Sequence, residues 1–186
     1  MKKFLLVVSL LATISCSHQN QKVTLDLSFD EKKSNIGNGS AIDVVVFDDR
    51  ANKEIIGKKI FGDEKITISP EQNLAQLLEQ KIKENLGRKG FSQGGDKIVE
   101  IHIESLEYRA RRRFFIGTSK ADGVLKVIVS NVKSGEKFTK NFTLTIKNKH
   151  FIAPLASTDA NTINELLQEL VQDILNDKAV LKNLAN

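Results

Sequence analysis

Glu100, His102 and Glu104 alternate with Val99, Ile101 and Ile103, so in an extended chain two carboxylates and an imidazole project from one face. That set could move protons or ligate a metal. Neighbours on such a face stand about 6.6 Å apart along the strand, and a zinc site normally draws further ligands from elsewhere. Only His18 and His150 remain as other histidines, so the solvated face of an amphipathic strand is the simpler account, with no metal and no cofactor. Nucleophilic catalysis has no better candidate, since there is no G-x-S-x-G elbow. The "GNGSA" run at Gly37 to Ala41 precedes a strand instead of linking a strand to a helix, and so lacks the context of a phosphate cradle. Asp48, Asp49 and Arg50 read as a turn with a local ion pair. These residues predict no catalytic site and a non-enzymatic protein.

The strongest charge signal is "EYRARRRFFIG", from Glu107 to Gly117, whose Arg109, Arg111, Arg112 and Arg113 are four of the six arginines in the chain. If the strand beginning at Ile98 stays extended, its odd positions run from Val99, Ile101 and Ile103 to Glu107, Arg109, Arg111 and Arg113. A face that changes from core to charge cannot stay buried. Either the strand leaves the core beyond about Ser105, or a bulge there swaps the faces. Arg109, Arg111 and Arg113 would then form a comb with teeth about 6.6 Å apart, with Tyr108, Phe114 and Ile116 on the opposite side. Three readings fit: a solvated strand whose charges discourage edge pairing, a contact for anions, or a nucleic-acid patch.

The N-terminus decides among the partners that such a comb could meet. "MKKFLLVVSLLATISC" has Lys2 and Lys3, an apolar run from Phe4 to Leu11 and small residues up to Cys16, the layout of an export signal. As a helix, Phe4 to Ile14 covers about 16 Å against a hydrocarbon core of roughly 30 Å, too short to span. "ATISC" resembles a bacterial lipobox, with Thr13 where leucine is usual. Cys16 is the only cysteine, so it has no disulfide partner within the chain. The resemblance implies residues 1–15 as a cleaved signal and Cys16 as an acylated N-terminus carrying three chains, enough for stable anchoring. Ser17 is not the aspartate that retains such proteins at the inner membrane, which points to the outer membrane, facing the periplasm. In that compartment the anions are lipid headgroups, lipopolysaccharide phosphates and acidic proteins, and nucleic acid is not an expected partner.

Without Lys2 and Lys3 the net charge falls from +5 to +3, so electrostatic specificity is local. Lysines are scattered along the sequence while arginines concentrate in one place. Residues 16–22 read as the lipidated N-terminus with a polar tether, and 23–186 as a single domain. Val23, Leu25, Leu27 and Phe29 alternate with polar residues at strand period, and "IDVVVFDDR" suits an interior strand. "KEIIGKKIFGDEKITI" reads as one or two short extended pieces broken by Gly57 and Gly62. The next segment predicts a helix with Ser69 as cap, Pro70 in its first turn, Gln72 completing a capping box, and Leu74, Leu77, Leu78, Ile82 and Leu86 as its stripe. Gly87 or Gly90 ends it. Strands follow at Ile98 to about Leu106, Lys120 to Val132 and Lys137 to Asn148, the last two a hairpin through "KSGE". A second helix spans Asn161 to Leu175, with Thr158 or Asp159 as cap, before a fraying tail. The order predicts an α+β fold, a mixed, largely antiparallel sheet with two amphipathic helices packed on one face.

This layout resembles the YajG family of envelope lipoproteins, through the lipobox and tether, "VVVFDDR" with "IIG" following, the helix leading to "RKGF", then "TSKADGVLKV" and "KFTKNF". The resemblance implies a lipid-anchored periplasmic domain and brings no active-site residues. A binding or scaffolding module is the leading expectation. An accessory subunit of an envelope lipid transport or assembly complex is the alternative.

Overall fold

The structure is a computed structural model that describes residues 19–29, 33–113, 116–151 and 155–185. Cys16 and Phe114 lie outside the described residues. The elements in chain order are β1 (Gln19–Val23), β2 (Ala41–Asp48), β3 (Gly57–Phe61), β4 (Glu64–Pro70), α1 (Leu74–Arg88), β5 (Ser92–Gln93), β6 (Lys97–Arg113), β7 (Ile116–Asn131), β8 (Lys137–His150), α2 (Ala156–Asn176) and α3 (Lys178–Ala185). The fold is α+β, a mixed sheet curled into a half-barrel, with helices packed inside it.

β6 is the axis of the sheet. Along one edge it pairs antiparallel with β7 over its whole length, and β7 pairs with β8. Its other edge is shared: Lys97–Ile103 pairs parallel with β2, and Tyr108–Arg112 pairs parallel with β3. β3 continues antiparallel to β4, and β4 parallel to β1. Thus the two longest ladders are antiparallel, and of the shorter ones only β3–β4 is antiparallel. α2 lies on β7 and β8, close enough at Gly123 that a Cβ there would stand 2.7 Å from Leu170 Cδ1. α1 lies over β2, and both helices contribute to one apolar core with Val44, Ile101, Tyr108 and Leu125.

Several boundaries differ from the sequence expectation, each for a local reason. α1 begins at Leu74, capped by the Asn73 side chain, which accepts from Gln76 N at 3.1 Å. Ser69 and Pro70 instead end β4, where β1 holds them in the sheet. Gln72 serves neighbouring chain: its amide accepts from Leu25 N and donates to Leu25 O, each at 3.0 Å. The helix closes on Gly90 at φ +90°, with Gly90 N bonded to Gly87 O and Phe91 N to Leu86 O, a Schellman ending. The first strand lies at Gln19–Val23, of which residues 19–22 fall in the segment read as tether. Leu25, Leu27 and Phe29 keep the predicted alternation of burial without belonging to a strand. α2 starts five residues earlier than predicted, which places Asp159 inside the helix and not at its cap. The tail forms a third helix, because Asp177 Oδ1 accepts from Ala179 N and Val180 N while Val180 and Leu184 are buried.

Two glycines give a paired test of this packing. A Cβ on Gly57 would lie 2.0 Å from the Tyr108 backbone oxygen, whereas Gly87 in α1 has open space around it. Gly57→Ala should therefore cost about 1–3 kcal/mol by forcing β3 away from β6. Gly87→Ala should add roughly 0.5–1 kcal/mol through helix propensity. Urea midpoints moving in the same direction for both would contradict this register.

Candidate functional site

The bulge anticipated near Ser105 is present. The β6–β7 register shifts between Ile103 and Ser105, leaving Glu104 without a partner in the ladder. Odd residues Val99, Ile101 and Ile103 are buried before it, and even residues Leu106, Tyr108 and Ala110 after it. One extra residue thus keeps the strand on the core for its full length while turning Glu107, Arg109 and Arg111 to the open face. Arg112, also exposed, has the opposite parity, towards the helix side. Arg113 ends β6 opposite Ile116.

On the open face the ladder registers assemble cations from strands far apart in sequence. Lys58 pairs with Arg109, Arg109 with Lys120, and Lys120 with Lys147, a row of four across β3, β6, β7 and β8. The next row carries Arg111, Thr118 and Lys149, with Lys65 reached through Ile60. Arg109, Arg111, Lys120, Lys147 and Lys149 line a groove of about 420 Å³. Two carboxylates temper the field. Glu107 accepts two hydrogen bonds from Arg109, from Nε at 2.6 Å and from Nη2. Chiefly for that reason its carboxyl is held below its ordinary pKa, against the opposing effect of partial burial. Asp122 loses some hydration to burial, yet its pKa is also lowered, by Lys120 at 2.7 Å and the Thr145 hydroxyl at 2.6 Å. Lys58, Lys65, Arg111, Lys147 and Lys149 form no salt bridge among the described residues.

The cations of this face are thus not the arginines alone. Lysines that look scattered in sequence converge because neighbouring strands bring residues about 4.8 Å apart whatever their separation along the chain. Only the register, which side-chain alternation alone does not supply for pairs as distant as Lys58 and Lys147, reveals the group.

A second polar cluster lies beneath this face, and the sequence reading missed it. Asp159 is fully buried. It pairs with Lys59 Nζ, accepts from Tyr108 Oη at 2.6 Å and accepts from Gln21 Nε2 at 2.9 Å. Burial, then the hydrogen bond to Asp159, raises the Tyr108 phenol well above its ordinary pKa, so it remains a proton donor. The signal available in sequence was Asp159 in line with Ile163, Leu166 and Leu170, a carboxylate on the apolar stripe of a helix. Ser119 Oγ lies 2.9 Å from His150 Nε2, and Ser119 is buried.

The residues first weighed for acid–base work are engaged locally. His102 Nδ1 lies 2.7 Å from Asp49 Oδ2, its ring stacks on Phe47 at 5.0 Å, and Glu100 Oε2 is 3.8 Å from Nε2. Glu104 stands 3.8 Å from Lys126. Among the described residues no cluster of three such side chains could hold a metal ion. Arg50 is buried in the predicted turn, clasping Asp48 through Nε and Nη2 and donating to the Ile55 and Lys53 carbonyls. Among the described residues no helix is long and apolar enough to cross a membrane.

The fold is thus an α+β half-barrel with helices inside and a charged outer face. The chain belongs to the family described as "Uncharacterized lipoprotein", whose model matches residues 28–185. Among curated proteins no sequence matches. Similar solved structures include a Xanthomonas campestris protein of the DUF330 family, 10% identical, with TM-score 0.59 over 88% of this chain and 96% of that one. Another is a Helicobacter pylori protein described as a neuraminyllactose-binding hemagglutinin homolog, 13% identical, with TM-score 0.53 over 88% of this chain and 97% of that one. At these identities the likeness shows the fold alone. The protein is thus a lipoprotein with an α+β domain.

Proposed function

We propose that this lipoprotein is a non-enzymatic module anchored through Cys16 in the outer membrane, facing the periplasm, in the manner of the YajG-like proteins it resembles. It binds or scaffolds by contact between the cationic end of its open sheet face and an anionic envelope component, whether lipid headgroups, lipopolysaccharide phosphates or an acidic protein. The observation that carries this reading is the row Lys58, Arg109, Lys120, Lys147 across four strands. Like charges directly opposite one another weaken a sheet, so folding alone does not favour the row. A local conflict of that kind is expected where function demands it. The guanidinium of Arg111 offers a planar fork suited to phosphate or carboxylate, and the lysines add point charges around it.

The test uses residues 16–186 carrying Cys16→Ser, so that binding is supplied neither by acyl chains nor by the apolar run of residues 4–11. It should bind phosphatidylglycerol vesicles or lipopolysaccharide, and binding should weaken between 0.1 and 1 M salt as the Debye length shrinks from about 10 to about 3 Å. Replacing Arg111, Lys147 and Lys149 with alanine should weaken vesicle binding roughly a hundredfold, at about 1 kcal/mol per cation near an anionic surface. Equal binding by the triple variant would refute the assignment.

A further inference from the structure

The short link between anchor and fold determines which end of the domain meets the membrane. Only Ser17 and His18 separate Cys16 from Gln19, the first residue of β1. At full extension three residue steps span about 11 Å. Gln19 pairs with Ile66 near the start of β4, Glu64 pairs with Phe61, and Phe61 pairs with Arg112. The chain therefore enters the fold at the end of the sheet where β6 finishes, β7 begins, β8 finishes and α2 starts.

Three apolar side chains stand exposed at that same end. Ile116 is 55% exposed, Phe151 93% and Leu155 63%. Ile116 adjoins Gly117, whose ladder partner His150 precedes Phe151, and Leu155 lies one turn before Asp159 at the start of α2. Lys65, Arg111 and Lys149 stand at the same end of the sheet, where the described carboxylates include Asp63 and Glu64 on the β3–β4 turn and the buried Asp159. Apolar side chains and cations at one end of the fold match the boundary between acyl chains and anionic headgroups.

We propose that this end docks on the leaflet that holds the acyl chains, with Ile116, Phe151 and Leu155 entering the headgroup boundary and Arg111 and Lys149 meeting lipid phosphates. The proposal rests on the anchored, anion-contacting reading above and names its partner. Tethering makes docking an intramolecular event, so modest contacts suffice to hold one orientation. The consequence is a domain held upright, with the β7–β8 turn near Gly135 pointing away from the membrane.

The chain contains no tryptophan, so a single introduced one reports its own depth. The lipidated full chain carrying Phe151→Trp is reconstituted in vesicles of phosphatidylethanolamine and phosphatidylglycerol, some with brominated acyl chains. Flotation is measured alongside fluorescence. Emission should shift to the blue and be largely quenched by the brominated lipid. Val132→Trp, at the far end of the sheet, should be neither shifted nor quenched. Adding Arg111→Glu and Lys149→Glu to Phe151→Trp should abolish most of the quenching while flotation persists. Flotation without quenching at position 151 would overturn docking and leave the anchor intact. A lipidated preparation that fails to float would remove the anchored reading, and docking with it.

Discussion

Asp159→Ala should destabilise the protein by about 3–5 kcal/mol, the cost of removing one partner from a buried ion pair. Lys59 loses the carboxylate that balances its buried ammonium, and the Tyr108 hydroxyl and the Gln21 amide lose their acceptor. No surface change in the chain approaches this, because exposed ion pairs such as Lys133–Asp96 contribute about 0–1 kcal/mol. Urea unfolding checks it, with Asp96→Ala as the surface comparison. Tyr108→Phe removes the hydrogen bond to the charged Asp159 and should cost about 1.5–3 kcal/mol. Replacing Lys59 and Asp159 together with methionine and leucine should recover the part of the loss due to the unpaired ammonium, since a well-packed apolar pair of similar volume can replace an ion pair. A single Asp159→Ala variant no weaker than the Asp96→Ala control would show that the cluster is not a buried ion pair at all.

The location of this cluster explains its cost. Gln21, Lys59, Tyr108 and Asp159 come from β1, β3, β6 and α2, so one carboxylate ties four elements to each other. It lies directly under the cationic face, whose Lys58 and Arg109 flank Lys59 and Tyr108 in the chain. The same network that holds α2 on the sheet thus holds the strands whose register assembles the row of cations. Loss of Asp159 should weaken anion binding along with stability, whereas loss of Arg111 should weaken binding alone.

Cys16→Ser should move the protein from the membrane to the soluble fraction almost completely when fractionation is done at about 1 M salt, where the Debye length is about 3 Å. Acyl chains contribute about 0.8 kcal/mol per buried CH2, far beyond what a few exposed side chains supply. At low ionic strength part of the variant should remain membrane-associated through the cationic end. Adding the Arg111, Lys147 and Lys149 alanine changes should then release that fraction. A Cys16→Ser protein that stays with outer membranes at high salt would end the claim that this cysteine is the anchor.

What could be read without the structure follows from where the controlling physics is local. Alternation along β8 separates Phe138, Phe142, Leu144 and Ile146 from Thr139, Asn141, Thr143 and Thr145, and the period of two fixes those faces. The helical stripes of α1 and α2 are equally local. Even the bulge was foreseeable, since the change from Ile103 to Arg109 on one parity has few other solutions. Where competing local signals coexist, the larger assembly chose between them. Ser69 and Pro70 fit a helix start, but β1 adds five ladder partners to β4 and keeps them in the sheet. Asp159 fits a cap, but Lys59, Tyr108 and Gln21 offer it a buried site.

From the sequence alone come the expectation of an export signal, the single cysteine, the α+β class and the arginine-rich end of a strand, all matters of composition and short-range period. Tertiary structure alone decided that Lys58, Lys120, Lys147 and Lys149 join those arginines, and that Asp159 is buried among partners from three other elements. Both depend on which residues stand opposite each other across strands. That is set by long-range pairing, in which residues 89 positions apart, Lys58 and Lys147, lie in one row four strands wide.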